Sequence, residues 1–87
     1  MNYALHWGEY WSTKYPSFDD RVIVRYTQED DGWWRHDFSL YFIAKSDDEA
    51  RKYIKKFMRN YGEPIGVYSL ENRDSHTVIA TEEDEEE

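Results

Sequence analysis

Ser46-Asp47-Asp48-Glu49-Ala50-Arg51-Lys52-Tyr53-Ile54-Lys55-Lys56-Phe57-Met58-Arg59-Asn60-Tyr61-Gly62 decides the fold class. Ser46 and Glu49 match a capping box, in which the serine side chain accepts from the Glu49 amide and Glu49 reaches back to the Ser46 amide. Ala50, Tyr53, Ile54, Phe57, Met58 and Tyr61 then recur with the spacing of one helical face. Acids fill the first turn and bases the later ones, as the helix dipole favours. Gly62 stands where a helix-ending glycine belongs, and Pro64 forbids continuation. The pattern predicts one helix over 47–61.

Upstream the period changes to two. Val22, Val24 and Tyr26 alternate with Ile23, Arg25 and Thr27. Beyond Asp30-Asp31-Gly32, the residues Trp34, Phe38, Leu40, Phe42 and Ala44 share one parity, opposite to Trp33, Arg35, Asp37, Ser39 and Tyr41. Both runs read as strands with one buried face. A two-residue turn on Asp31-Gly32 would oppose Val24 to Ser39 and put the two apolar sets on different faces. A three-residue loop opposes Val24 to Phe38 and Val22 to Leu40. Only the second register is consistent, because a one-residue slip flips every side chain. It also gives Gly32 the left-handed position of a bulged turn.

Downstream, Ile65–Leu70 and Thr77–Ala80 read as a second hairpin. A turn on Asn72-Arg73 pairs Val67 with Val78 and Ile65 with Ala80. Residues 3–11, with Tyr3, Leu5 and Trp7 on one parity, form either a strand or a wrapping arm. Residues 12–20 read as a loop. The expected fold is α+β: a small, largely antiparallel sheet with one helix packed on one face, in the order (β)ββαββ. Residues 1–80 form a single domain, and 81–87 are expected to be a disordered acidic tail.

Charge supports that division. The chain of 87 residues carries 19 acids against 11 lysines and arginines, a net of −8. Six of the acids are Glu82 to Glu87, which leaves thirteen acids against eleven bases in residues 1–81. This is a near-neutral body with an acidic tail. Cysteine is absent, which excludes disulfide scaffolds, thiol catalysis and cysteine-ligated zinc. No apolar run approaches the ~20 residues of a membrane span, and the first residues lack a signal-peptide pattern. A cytoplasmic protein without membrane contact is expected.

Chemistry-bearing motifs are sparse. Asp74-Ser75-His76 has the letters of a catalytic triad, but it sits in a turn, which offers no shielded site. His36 and Asp37 are strand neighbours and point to opposite faces. His6, His36 and His76 are too dispersed for a local metal motif, and His36 reads as a half-buried, hydrogen-bonded side chain. The four glycines form no phosphate loop. No enzyme, no metal and no cofactor is expected.

Two surfaces could serve binding. Lys52, Lys55, Lys56 and Arg59, flanked by Arg51, form a basic stripe opposite the apolar face of the helix; it suits phosphates or acidic proteins, or is a plain solvated face. The second is aromatic. Sixteen of the 87 residues are Phe, Trp or Tyr, and Tyr3, Trp7, Tyr10, Trp11, Tyr15 and Phe18 crowd the first eighteen positions. Trp33 and Tyr41, with Arg25 and Arg35, lie on the parity facing away from the helix. Trp, Tyr and Arg bury much area at little entropic cost, which enriches them in interface hot spots. The bland alternative is an N-terminal arm completing a second small core. We take Trp7, Tyr10, Trp11, Trp33, Arg35 and Tyr41 as the candidate partner-binding set. The expected function is a small non-catalytic binding protein, an inhibitor or adaptor such as a phage-type accessory protein, that docks on a protein partner. The alternative is a nucleic-acid-binding module using the basic stripe or an open sheet face. Oligomeric state is not legible.

Overall fold

The computed structural model describes residues 1–17, 19–61 and 65–81. Five strands, β1 (Asn2–Trp11), β2 (Val22–Gln28), β3 (Trp34–Ile43), β4 (Tyr68–Asn72) and β5 (Thr77–Thr81), form one antiparallel sheet in the order β2-β3-β1-β4-β5. One helix, α1 (Asp47–Asn60), lies across one face. The α+β architecture with one helix is as the periodicities predict.

The first hairpin has the predicted register. Val22 opposes Leu40 and Val24 opposes Phe38. The loop closes through Gly32 N–H to Glu29 O at 3.0 Å and Glu29 N–H to Trp33 O at 2.8 Å. Gly32 takes φ +91°, a conformation other residues rarely adopt. The helix begins where the cap predicts, with Ser46 Oγ accepting from Glu49 N–H at 3.2 Å. Its apolar face buries Ala50, Ile54 and Phe57, each large side chain contributing roughly 1.5–3 kcal/mol by leaving water. The return half of the capping box is not among the bonds of the described residues; Ser46 O accepts the first intrahelical bond, from Ala50 N–H at 3.0 Å. Tyr61 caps the end and packs its ring edge-on against Trp7. The predicted stop signals Gly62 and Pro64 lie outside the described residues.

Residues 2–11 are a strand, and a central one. β1 pairs with β3 along its whole length and with β4 from Tyr3 to Trp7. Tyr3, Leu5 and Trp7 enter the helix-side core, while Ala4 and Gly8 lie on the other face. The reading of an arm across the back of the sheet is thereby corrected, since hydrogen-bonding partners on both sides hold these residues within it. The wrapping role falls to the next segment. β1 and β2 are both antiparallel to β3 and so run the same way, and residues 12–21 must cross over to join them. Tyr15 N–H donates to His36 Nε2 at 3.2 Å, and Tyr26 Oη donates to Tyr15 O at 2.8 Å. The crossover therefore covers His36 on the helix side of the sheet. Both crossovers, this one and α1, lie on that same face.

The second hairpin departs from expectation. Leu70 opposes Ala80, Glu71 opposes Val78 and Asn72 opposes Thr77, with a bulge between Leu70 and Glu71. Ile65 and Val67 precede β4, and Val67 and Val78 are exposed. The cause is Asn72. Its Oδ1 accepts from the amides of Asp74 and Ser75 at 2.9 and 3.2 Å, which places the turn at 73–76. Tyr68 and Leu70 then fill the core, Ile65 packs partly buried against it, and Val67 is left outside. β5 extends to Thr81, one residue into the segment read as tail. Glu82 to Glu87 and Phe18 lie outside the described residues.

Candidate functional surface on the open sheet face

With both crossovers on one side, no element of the described residues covers the other side of the sheet. The registers lay out that face row by row. Ile23, Ser39, His6, Ser69 and Thr81 cross the sheet in one row. Tyr41, Ala4, Glu71 and Val78 form a second, and Thr27, Arg35 and Tyr10 a third. Arg25, Asp37 and Gly8 lie between these. Exposed large apolar side chains collect here: Tyr10, Ile23, Tyr41, Ile43 and Val78. Ile43 is 79% exposed, although it ends a strand beside Met1 and Asn2.

Charges on the face are mixed and mostly engaged. Arg35 Nε donates to Asp37 Oδ1 at 2.8 Å, and Arg35 also donates to Tyr10 Oη at 3.0 Å. Asp37, with Tyr10 behind it, raises the pKa of the guanidinium and keeps it charged. Gly8 lies beside this group; a Cβ there would meet Asp37 Oδ1 and the Arg35 guanidinium in ordinary contact at 3.5 and 3.6 Å. Arg73 rests over the Tyr41 ring at 4.9 Å, and His6 meets the same ring edge-on. His6 Nδ1 lies 3.0 Å from Ser39 Oγ. Arg25 has no ion-pair partner among the described residues.

The candidate set divides under this geometry. Tyr10, Arg35 and Tyr41 stand on the open face, with Tyr10 at 55% and Tyr41 at 46% exposure. Trp33 enters β3 on the same parity and lines a groove with Tyr10. Trp7 must be withdrawn. It is 4% exposed, stacked on Phe38 at 5.0 Å and part of the helix-side core. Its parity with Tyr3 and Leu5 is the physical reason. Trp11 is exposed but belongs to the opposite side, where its Nε1–H donates to Glu9 Oε1 at 2.9 Å and its ring meets Tyr15 edge-on. Glu9 gathers three donors there, from Trp7, Trp11 and Tyr15. These are structural contacts that tie the crossover to β1.

Sequence reasoning missed Val67, Val78 and Ile43 as surface groups, the first two because it assigned them to a strand pair in the core. Ile23 was legible, since it alternates with Val22 and Val24.

The other candidates are placed as follows. Lys52, Lys55, Lys56 and Arg59 are exposed on the helix and make no ion pair among the described residues; Arg51 bonds Ile79 O and Asp48. His36 is fully buried rather than half-buried, donating from Nδ1 to Trp34 O while Nε2 accepts from Tyr15. Ser75 Oγ bonds Thr77 Oγ1 at 2.7 Å, and Asp74 holds the Asn2 amide, so the serine and aspartate of the triad letters are occupied elsewhere. Asp74 is lowered in pKa by those Asn2 bonds. Among the described residues no group of His, Asp and Glu is placed to hold a metal ion. No described helix is long and apolar enough to cross a membrane. The chain matches no family model, no curated protein and no solved structure.

Proposed function

We propose that the protein is a small non-catalytic binding module, an inhibitor or adaptor, that docks on a protein partner through the open face of its sheet. One observation carries this reading. The helix-side core is complete, yet the opposite face presents Tyr10, Ile23, Tyr41, Ile43 and Val78 to solvent. A sheet face that displays aromatic and branched side chains among arginines has the make-up of an interface centre. Its charges give no positive excess: Arg25, Arg35 and Arg73 are set against Asp37, Glu71 and Asp74, and Glu29, Asp30 and Asp31 add acids at one end. Phosphate backbones demand an excess of positive charge, which this face lacks. Arg35 and Arg73 already lie over the Tyr10 and Tyr41 rings, the surfaces on which bases would stack. A cytoplasmic setting fits a chain without cysteine.

The nucleic-acid reading retains one supporting feature, the stripe of Lys52, Lys55, Lys56 and Arg59, which makes no ion pair among the described residues. Photo-crosslinking from position 23 or 41, compared with position 55, separates the two readings. Crosslinks from the sheet positions to a protein, resistant to nuclease and to moderate salt, are expected. Crosslinks from position 55 alone, or to nucleic acid, overturn the proposal.

A further inference from the structure

The end of the open face nearest the first hairpin loop holds a groove of about 380 Å³, walled by Tyr10 and Trp33 and rimmed by Glu29, Asp30 and Asp31. Trp33 is 46% exposed, and its indole N–H has no partner among the described residues. The hairpin geometry puts it there. Gly32 turns the chain, Asp31 Oδ1 accepts from the Trp33 amide at 3.1 Å, and the ring is left half-exposed beside Tyr10. No ion pair neutralises the carboxylates of Glu29, Asp30 or Asp31 among the described residues. The guanidinium of Arg35, which stands opposite Thr27 two residues from Glu29, is already met by Asp37.

Three carboxylates without an ion pair among the described residues, beside the exposed Trp33 ring, favour a cation. Ring faces attract an ammonium or guanidinium by their quadrupole, and carboxylates add charge-assisted hydrogen bonds to its N–H groups. Tyr10 already displays the mode, with the Arg35 guanidinium 5.7 Å from its ring centroid. From this charge complementarity we infer that the groove receives a cationic side chain of the protein partner, arginine in preference to lysine. The planar guanidinium can lie on Trp33 while its donors reach Glu29 and Asp30. This deepens the proposed function and rests on it for the partner; the affinity for a cation rests on the groove alone.

The test titrates capped Gly-Arg-Gly into the isotope-labelled full chain, with Gly-Lys-Gly and Gly-norleucine-Gly as controls, and follows the four tryptophan indole N–H signals. The arginine peptide is expected to move the Trp33 signal saturably and selectively, the lysine peptide more weakly, and the norleucine peptide not at all. Glu29→Gln with Asp30→Asn should weaken the binding about tenfold, the weight of one charged contact. Both positions are exposed in the loop, and an unchanged amide spectrum for β1 and β3 checks that the fold persists. A non-saturable response overturns the inference, as does an equal response to norleucine or insensitivity to the double neutralisation. Because no partner takes part, such a failure leaves the crosslinking result from positions 23 and 41 standing. Failed crosslinking, in turn, leaves a measured cation site intact.

Discussion

The Tyr3 hydroxyl donates to Asp47 Oδ1 at 2.8 Å, and Asn72 Nδ2 donates to the same oxygen at 3.0 Å. A central strand, the first helical residue and the end of β4 thus meet at one atom. Tyr3 is fully buried. Burial, with help from Asp47, raises its pKa to about 12, while Tyr3 and then Asn72 lower that of Asp47. The contact fixes where the helix starts above the sheet. Tyr3→Phe should cost about 1.5–3 kcal/mol, as expected for a hydrogen bond to a charged group. Urea unfolding with an unchanged m-value is the measurement; a loss under about 0.5 kcal/mol would show that Asn72 suffices.

Stability should fall at both ends of the pH scale. Asp47 and Asp74 are lowered, and Asp19 lies at about 2 through its bonds to Arg21. Each such carboxylate stabilises the fold above its unfolded pKa of about 4 and loses that contribution as pH falls through the folded value. Tyr3 has the opposite sign: its folded pKa of about 12 exceeds the unfolded value of 10.0, so its contribution is full below that value and is lost as pH rises toward the folded one. Denaturation midpoints across pH check this, and Tyr3→Phe should abolish the alkaline branch attributable to this phenol.

His36 holds the crossover against the sheet. Its replacement by leucine keeps the volume but leaves the Tyr15 N–H and the Trp34 carbonyl without their partner. A loss of about 1–3 kcal/mol is expected. Hydrogen exchange of the Tyr15 amide should quicken more than that of Leu5 or Leu40, which lie in the sheet centre.

The tryptophans should separate stability from binding. Trp7→Ala empties a core position and should cost about 3–5 kcal/mol. Trp33→Ala should change stability by less than about 0.5 kcal/mol yet weaken the partner complex by about 2 kcal/mol or more, as interface anchors do. Thermal melts read the first effect and calorimetric titration of the partner the second. Equal losses of stability would place Trp33 in the core.

Reversing charge on the helix tests the alternative surface. Lys55→Glu with Lys56→Glu should leave partner affinity nearly unchanged, with a shallow dependence on salt. A steep salt slope and a large loss would assign binding to phosphates on the basic stripe.

The helix and the first hairpin were legible because their signals are local. A cap, a 3.6-residue period, a glycine turn and a two-residue alternation each act within a few residues, and they agree with one another. The outward parity of Trp33, Arg35 and Tyr41 was legible for the same reason. Strand order was not. Nothing near Asn2–Trp11 says that β3 and β4 will flank it, because such pairing depends on contacts dozens of residues apart. That placement turned Trp7 from a candidate anchor into core, and it sent Trp11 to the side where Glu9 and Tyr15 hold it. The second hairpin slipped from its expected register because Asn72 bonds two amides beyond it, a choice that hydrophobic alternation cannot reveal. The open face itself is a property of topology. Residue parity assigned side chains to two faces, but only the two crossovers, both lying over the same face, decided which one would be left uncovered.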